Sequence, residues 1–237
     1  MGMMDLLVGA SIPAVTLVVF AALAGRRAPS DGMRSAMQHL AAGVICGVVA
    51  AELVPQAMET QLPLEISLGF TGGLVLMLFA KAVAERLQGG RGRAGMLLAS
   101  GLDVTIDGLL IGVAFSLGTG FGMLLVLAFT LELAAVGLAI GAGSSTSKKV
   151  SAGRSAGVAA ILAVPVVPAA WVGKVMLSPM SQPFEAVLMG FATAVLLYLV
   201  IEELMREAHE VEEHPSANWL FFAGFLGLML LQMQITD

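Results

Sequence analysis

Ser100-Gly-Leu-Asp103-Val-Thr-Ile-Asp107-Gly-Leu-Leu-Ile-Gly112 lies in the middle of an apolar run. The run covers roughly residues 94–117, long enough to cross a bilayer as a helix. Asp103 and Asp107 are four residues apart, so they share one face of that helix. An acid at the centre of a bilayer costs about 2.5–3.5 kcal/mol on insertion scales. A helix that keeps two of them there implies a polar path or a bound cation.

Outward from this stretch the chain keeps the same character. Hydrophobic residues make up 58% of the sequence and charged residues 12%, against about 25% charged in a soluble domain. The mean hydropathy is +0.92. A bilayer admits helices or closed barrels, because every backbone polar group must be satisfied without water. Long continuous apolar segments, rather than alternating ones of about ten residues, select helices. The expected fold is therefore an all-α polytopic membrane protein, a single transmembrane domain over residues 1–237, with the lipid bilayer as partner. The single Cys46 excludes an intrachain disulfide and a cysteine metal cage. The 15 methionines read as packing filler. No nucleic-acid surface is evident in a chain of net charge −5.

Eight spans are expected, at roughly 4–24, 36–58, 64–87, 94–117, 121–142, 156–177, 184–205 and 218–234, with ends good to a few residues. The first carries Asp5, has no basic residue before it and is followed by Arg26-Arg27. A cleavable signal has the reverse polarity, so this reads as a true span. Pro165 and Pro168 are expected to break the sixth. Basic residues gather in odd-numbered loops: Arg26, Arg27 and Arg34; then Lys81, Arg86, Arg91 and Arg93; then Lys148, Lys149 and Arg154. Those loops are expected to be cytoplasmic, with both termini extracytoplasmic. Short loops and the want of a targeting extension lean toward a bacterial inner membrane. The acidic stretch 207–213, also on the inner side, holds His209 and is followed by His214. It reads as a solvated turn or as a collecting point for cations at an exit.

An internal repeat fits this layout. Span two ends Glu52-Leu53-Val-Pro-Gln-Ala57-Met-Glu59, and span seven ends Glu203-Leu204-Met-Arg-Glu-Ala208-His-Glu210. The shared pattern is Glu-Leu-x-x-x-Ala-x-Glu. The two spans run in opposite directions, so the repeat is inverted: spans one to three mirror six to eight, around a four–five hairpin, a 3+2+3 arrangement. Inverted repeats mark transporters, whose sites lie near the midplane. Chance matching in alanine-rich helices is the other reading.

At a rise of about 1.5 Å per residue, Asp103, Asp107 and the lone acid of span five, Glu132, fall at one depth on adjacent helices. Glu52 lies toward the outer end of span two, Glu202 and Glu203 toward the inner end of span seven, and together these acids describe a cation path. Three acids held together need a counter-charge, and Lys81 and Lys174 sit near span ends where they can snorkel. A divalent metal, shared protons or both would supply it. Oxygen ligands favour hard or borderline ions, whereas zinc more often recruits His or Cys. His39, near the inner end of span two, reads as an interfacial polar group or as part of the path. The competing structural reading has the acids protonated and hydrogen-bonded to Thr105, Ser100, Thr130 or backbone, and Glu52 paired with Lys174.

The whole chain resembles the ZIP family of divalent-metal transporters. That family's fourth span typically reads His-Asn-x-x-(Asp/Glu)-Gly, matched here by Asp103-Val104-Thr-Ile-Asp107-Gly108. Its fifth typically reads His-x-x-Pro-Glu-Gly-Leu-Ala, matched by Glu132-Leu133-Ala-Ala135-Val136-Gly137-Leu138-Ala139. The Glu-Leu ends of spans two and seven also look like the family's. The resemblance implies eight spans, extracytoplasmic termini and transport of a divalent cation as substrate (Fe, Mn, Co or Zn), with no organic cofactor and with a homodimer as one assembly. Some members look binuclear; the positions of their second site are here Val104, Leu133, Val136 and Val164. The resemblance thus implies a single site of Asp103, Asp107 and Glu132, with carboxylates where histidine is usual at the first and third. Glu52 would be an outer gate acid and Glu202 with Glu203 an inner one.

No enzyme is expected. An intramembrane hydrolase needs acids that flank a substrate, and Asp103 and Asp107 share one helix. A non-transporting cation-binding or sensor relative of the same fold is the alternative to a carrier.

Overall fold

The computed structural model describes residues 3–91, 93–145, 152–178, 181–209 and 217–235. Helix is the only regular structure among them. The helices are α1 (Met3–Arg26), α2 (Asp31–Glu59), α3 (Pro63–Arg91), α4 (Arg93–Leu117), α5 (Thr119–Ser145), α6 (Ala152–Met176), α7 (Gln182–Leu204, continued by Met205–His209) and α8 (Ala217–Ile235). Seven are long and apolar enough to cross a membrane; the apolar part of α8, Asn218–Gln234, is shorter. The chain is thus an all-α protein of membrane-spanning character. Lys148, Lys149 and His214, on which part of the loop reading rests, lie outside the described residues.

Local sequence explains the interruptions. Both prolines bear on the break in α6: Pro168 has no N–H for the Val164 carbonyl and crowds it, and the helix parts at Pro165, between Ala152–Ala163 and Val166–Met176. The Pro165 carbonyl accepts from the Ala169 N–H at 2.9 Å and starts the second piece. Two further irregularities have no counterpart in the sequence reading. Val49–Leu53 in α2 and Leu199–Leu204 in α7 are π-helical. The Val54 N–H reaches back to the Val49 carbonyl, and the Met205 N–H to the Val200 carbonyl. In α2 the cause is at hand: Pro55 has no N–H for the carbonyl four residues earlier, and its ring crowds that position. At the matching place α7 has Arg206, so proline does not explain the second.

Packing is pairwise. α1 lies along α5 and the second half of α6 along α4, while α8 lies along α2 and α7 along α3. Each pair has a glycine where the backbones meet: Gly137 against Leu17, Gly112 against Ala170, Gly43 against Phe221 and Gly69 against Val187. In each case a β-carbon would overlap the facing carbonyl oxygen. Small residues at such crossings let membrane helices approach and gain dispersion energy, since burial from lipid supplies little. Gly72 faces open space instead. Gly112→Leu is therefore expected to lower the melting temperature in detergent by the equivalent of about 1–3 kcal/mol of overpacking. Gly72→Ala should leave it unchanged or raise it slightly, because alanine is the better helix former by about 0.8–1.0 kcal/mol.

The buried side chains form two apolar clusters. The larger joins α1, α2, α4, α5 and α7 around Ile45, Ile111, Leu125, Phe129 and Leu196. The smaller holds Leu17, Ala21, Val104, Leu133, Leu162 and Val166. Leu131 packs on the first and Leu133 belongs to the second, so Glu132 stands where the two are bracketed together.

Candidate metal centre

α4 and α5 form one hairpin. Gly118 turns it: its N–H donates to the Ala114 carbonyl at 2.9 Å, and its carbonyl accepts from Gly122 at 2.9 Å. Asp103 and Asp107 lie midway along α4 and Glu132 midway along α5. The hairpin therefore brings the three carboxylates to one depth, and an oxygen from each lies within 4.8 Å of the others. Asp107 and Glu132 are 1% exposed, and Asp103 is half-buried.

The described surroundings leave one of the three, Asp107, without a hydrogen-bonded partner. Neither carboxylate oxygen of Asp107 has a hydrogen-bond partner among the described residues. The hydroxyls that might have served it are turned elsewhere: Thr105 donates to the Gly101 carbonyl at 2.5 Å and Thr130 to the Val126 carbonyl at 2.6 Å. The two threonine hydroxyls of the competing structural reading thus bond to their own helices. Glu203 of α7 adds a further acid within electrostatic range of Asp107. At an effective dielectric of about 20, two like charges about 4 Å apart repel by about 4 kcal/mol. Oxygens sharing a cation with bonds of about 2.0–2.6 Å lie up to about 4–5 Å apart, so the cluster has the dimensions of a coordination shell.

The other acids separate by role. Glu202 pairs with Lys81 of α3 at 2.6 Å, both partly exposed, while the next residue, Glu203, is within electrostatic range of Asp107. Adjacent residues on a helix are about 100° apart, so the two acids end on different neighbours. Glu52, in the π turn of α2, accepts from Gln56 Nε2 at 2.5 Å and from Gln232 of α8. The expected alternative of a Glu52–Lys174 pair is therefore corrected. Lys174 lies over the Phe115 ring, 5.7 Å from its centroid, and amides rather than an ammonium meet Glu52.

His39 is fully buried, and its Nδ1 lies 2.8 Å from the Ser35 carbonyl. His209, at the exposed end of α7, stands 5.6 Å away between ring centroids. Neither histidine belongs to the carboxylate cluster. The apolar positions Val104, Leu133 and Val136 gather in the smaller core cluster, but Val164 is 69% exposed at the break in α6 and takes no part. What sequence reasoning missed was the pair of π turns and the two glutamines around Glu52. Gln232 is 180 residues from Glu52, and no local pattern signals it.

No family model matches this chain, and no curated protein matches it.

Proposed function

We propose that the chain is a ZIP-like carrier of divalent cations, with Asp103, Asp107 and Glu132 as ligands of the transported ion. One observation carries this: three carboxylates converge from the middles of two helices, and one of the two that are almost wholly buried, Asp107, has no protein hydrogen-bond partner among the described residues. A protein that used Asp107 for packing would satisfy its carboxylate. An all-oxygen shell suits Mn(II), Fe(II), Mg(II) or Ca(II) better than it suits zinc.

The paired packing supports an inverted 3+2+3 repeat. Exchanging α1 with α6, α2 with α7, α3 with α8 and α4 with α5 turns each close helix pair into another, α1–α5 into α6–α4 and α2–α8 into α7–α3. The π turns of α2 and α7 fall on the two copies of the Glu-Leu motif. In this reading the α4–α5 hairpin carries the ion and moves against the remaining helices, admitting it from the outer, Glu52 side and releasing it inward.

The test is uptake of Mn(II), Fe(II), Co(II), Zn(II) and Cd(II) into proteoliposomes. Saturable flux, with Mn(II) or Fe(II) ahead of Zn(II), is the expected result; binding without flux of any ion would leave a sensor in place of a carrier. Glu202 and Glu203 should then differ. Glu203→Gln is expected to reduce uptake at least tenfold, because Glu203 is within electrostatic range of Asp107. Glu202→Gln removes only an exposed ion pair, worth about 0.2–1 kcal/mol, and should change uptake less than twofold.

A further inference from the structure

A single sequence offset relates the contacts of α2 and α3 to those of α7 and α8. Glu52 and Glu203 each lie in a π turn and each precede a leucine. A β-carbon on Gly73 of α3 would overlap the Phe191 carbonyl of α7, and one on Gly224 of α8 the Leu40 carbonyl of α2. Leu40 and Phe191, Gly73 and Gly224, and Lys81 and Gln232 are all separated by as many residues as Glu52 and Glu203. The hairpin has its own register. Gly112 and Gly137, at their crossings with Ala170 and Leu17, each stand five residues after an acid, Asp107 and Glu132 respectively.

Lys81 and Gln232 thus hold equivalent places, and each reaches an acid in the π turn of the helix beside it. Lys81 donates to Glu202 at 2.6 Å. Gln232 Nε2 donates to Glu52, whose other oxygen accepts from Gln56 at 2.5 Å. The difference lies in the acids. α7 has two, so Lys81 holds Glu202 while Glu203 is within electrostatic range of Asp107. α2 has Ala51 where α7 has Glu202, and its one acid in the turn, Glu52, takes the bond from the neighbouring helix. Two inverted repeats in one bilayer have two arrangements of like contacts, facing opposite sides, in which the repeats exchange conformations. In the exchanged arrangement Glu52 stands to Glu132 as Glu203 now stands to Asp107, and to reach it Glu52 must leave both amides. A neutral amide permits this, whereas a lysine at position 232 would form the stronger bond of two charged partners.

We infer that Gln232 is a positioning residue that holds Glu52 away from the metal centre in this state, and that Glu52 moves to the Glu132 side of the centre when the carrier faces the other way. The inference rests on the carrier reading and its inverted repeat. It makes the outer acid a moving part, while on the inner side Glu202 does the holding and Glu203 keeps its place.

Two measurements on the full-length chain test it, and the first needs neither metal nor transport. In a Cys46→Ala background, Glu203→Cys/Asp107→Cys and Glu52→Cys/Glu132→Cys are treated in membranes with a short bis-methanethiosulfonate, and the linked product is read as the mass of the intact chain. Both pairs are expected to link, the first in the arrangement described and the second in the exchanged one. A linked 203/107 pair without a linked 52/132 pair, in protein that melts as the parent does, overturns the inference. The second measurement is Mn(II) uptake. Gln232→Lys is expected to slow uptake by about tenfold or more, the scale of losing an outer-shell partner, without lowering the melting temperature, because the ion pair fixes Glu52 and does not unfold the chain. Adding Ala51→Glu supplies a second acid for the lysine, as in α7, and is expected to restore about half of the parent rate or more, a non-additivity that marks direct coupling. Unchanged uptake in Gln232→Lys, or a loss that Ala51→Glu leaves in place, overturns the inference. A parent chain without uptake of any ion sinks the carrier reading instead, and the crosslinks then decide on the movement of Glu52 by themselves.

Discussion

Proteoliposomes carrying Asp103→Ala/Asp107→Ala are expected to take up Mn(II) no faster than empty vesicles, against saturable uptake expected for the unaltered chain. The expected loss is at least hundredfold. Mutating an outer-shell partner of a metal ligand typically costs about 10–100-fold, and this variant removes two of three ligands outright. Glu132 alone, 1% exposed and flanked by Leu131 and Leu133 of the two apolar clusters, cannot replace the hydration shell of a divalent ion. The single variants grade the effect. Asp107→Ala should be the more severe, because Asp107 is buried and Asp103 has partial access to solvent. Normal uptake by the double variant would place the path elsewhere in the bundle.

The second large effect is on stability and has the opposite sign. Asp107→Asn is expected to raise the melting temperature of the metal-free protein in detergent with a chelator present. A buried group without partners costs about 1–3 kcal/mol, and more when charged. The amide keeps the shape of the side chain and removes the charge that Glu203, Asp103 and Glu132 oppose. In a chain of this size about 1 kcal/mol moves the midpoint by about 2–4 °C, so a rise of several degrees is the measurable outcome. Adding Mn(II) should reverse the order: a ligand at about 100 times its dissociation constant stabilises by about 2.7 kcal/mol, available to the unaltered chain and lost from the variant. A metal-free Asp107→Asn that melts below the parent would mean that Asp107 serves packing and not a cation.

The architecture was legible in the sequence where its cause is local. Apolar runs the length of a bilayer gave the helices, Pro165 and Pro168 the break in α6, and the four-residue spacing of Asp103 and Asp107 with the short Gly118 turn gave the meeting with Glu132. Each follows from periodicity and rise per residue. What stayed hidden depends on helix packing or distant partners. Glu202 and Glu203 stand about 100° apart around α7, and the sequence does not say which neighbour each meets. Their separation into a Lys81 ion pair and an acid within electrostatic range of Asp107 depends on how α7 packs. The partner of Glu52 was expected to be Lys174 on charge and depth; the structure gives amides, Gln232 arriving from the far end of the chain. The closeness of His39 and His209 depends on α2 packing beside the end of α7, which periodicity does not report.

The central claim is that Asp103, Asp107 and Glu132 together hold one divalent cation. Anomalous diffraction from crystals of the full chain soaked in Mn(II) tests it most directly. The account predicts a peak bounded by the three carboxylates, with oxygens at bonding distance from both helices of the hairpin. Well-ordered carboxylates with no anomalous density between them at saturating Mn(II) would contradict it.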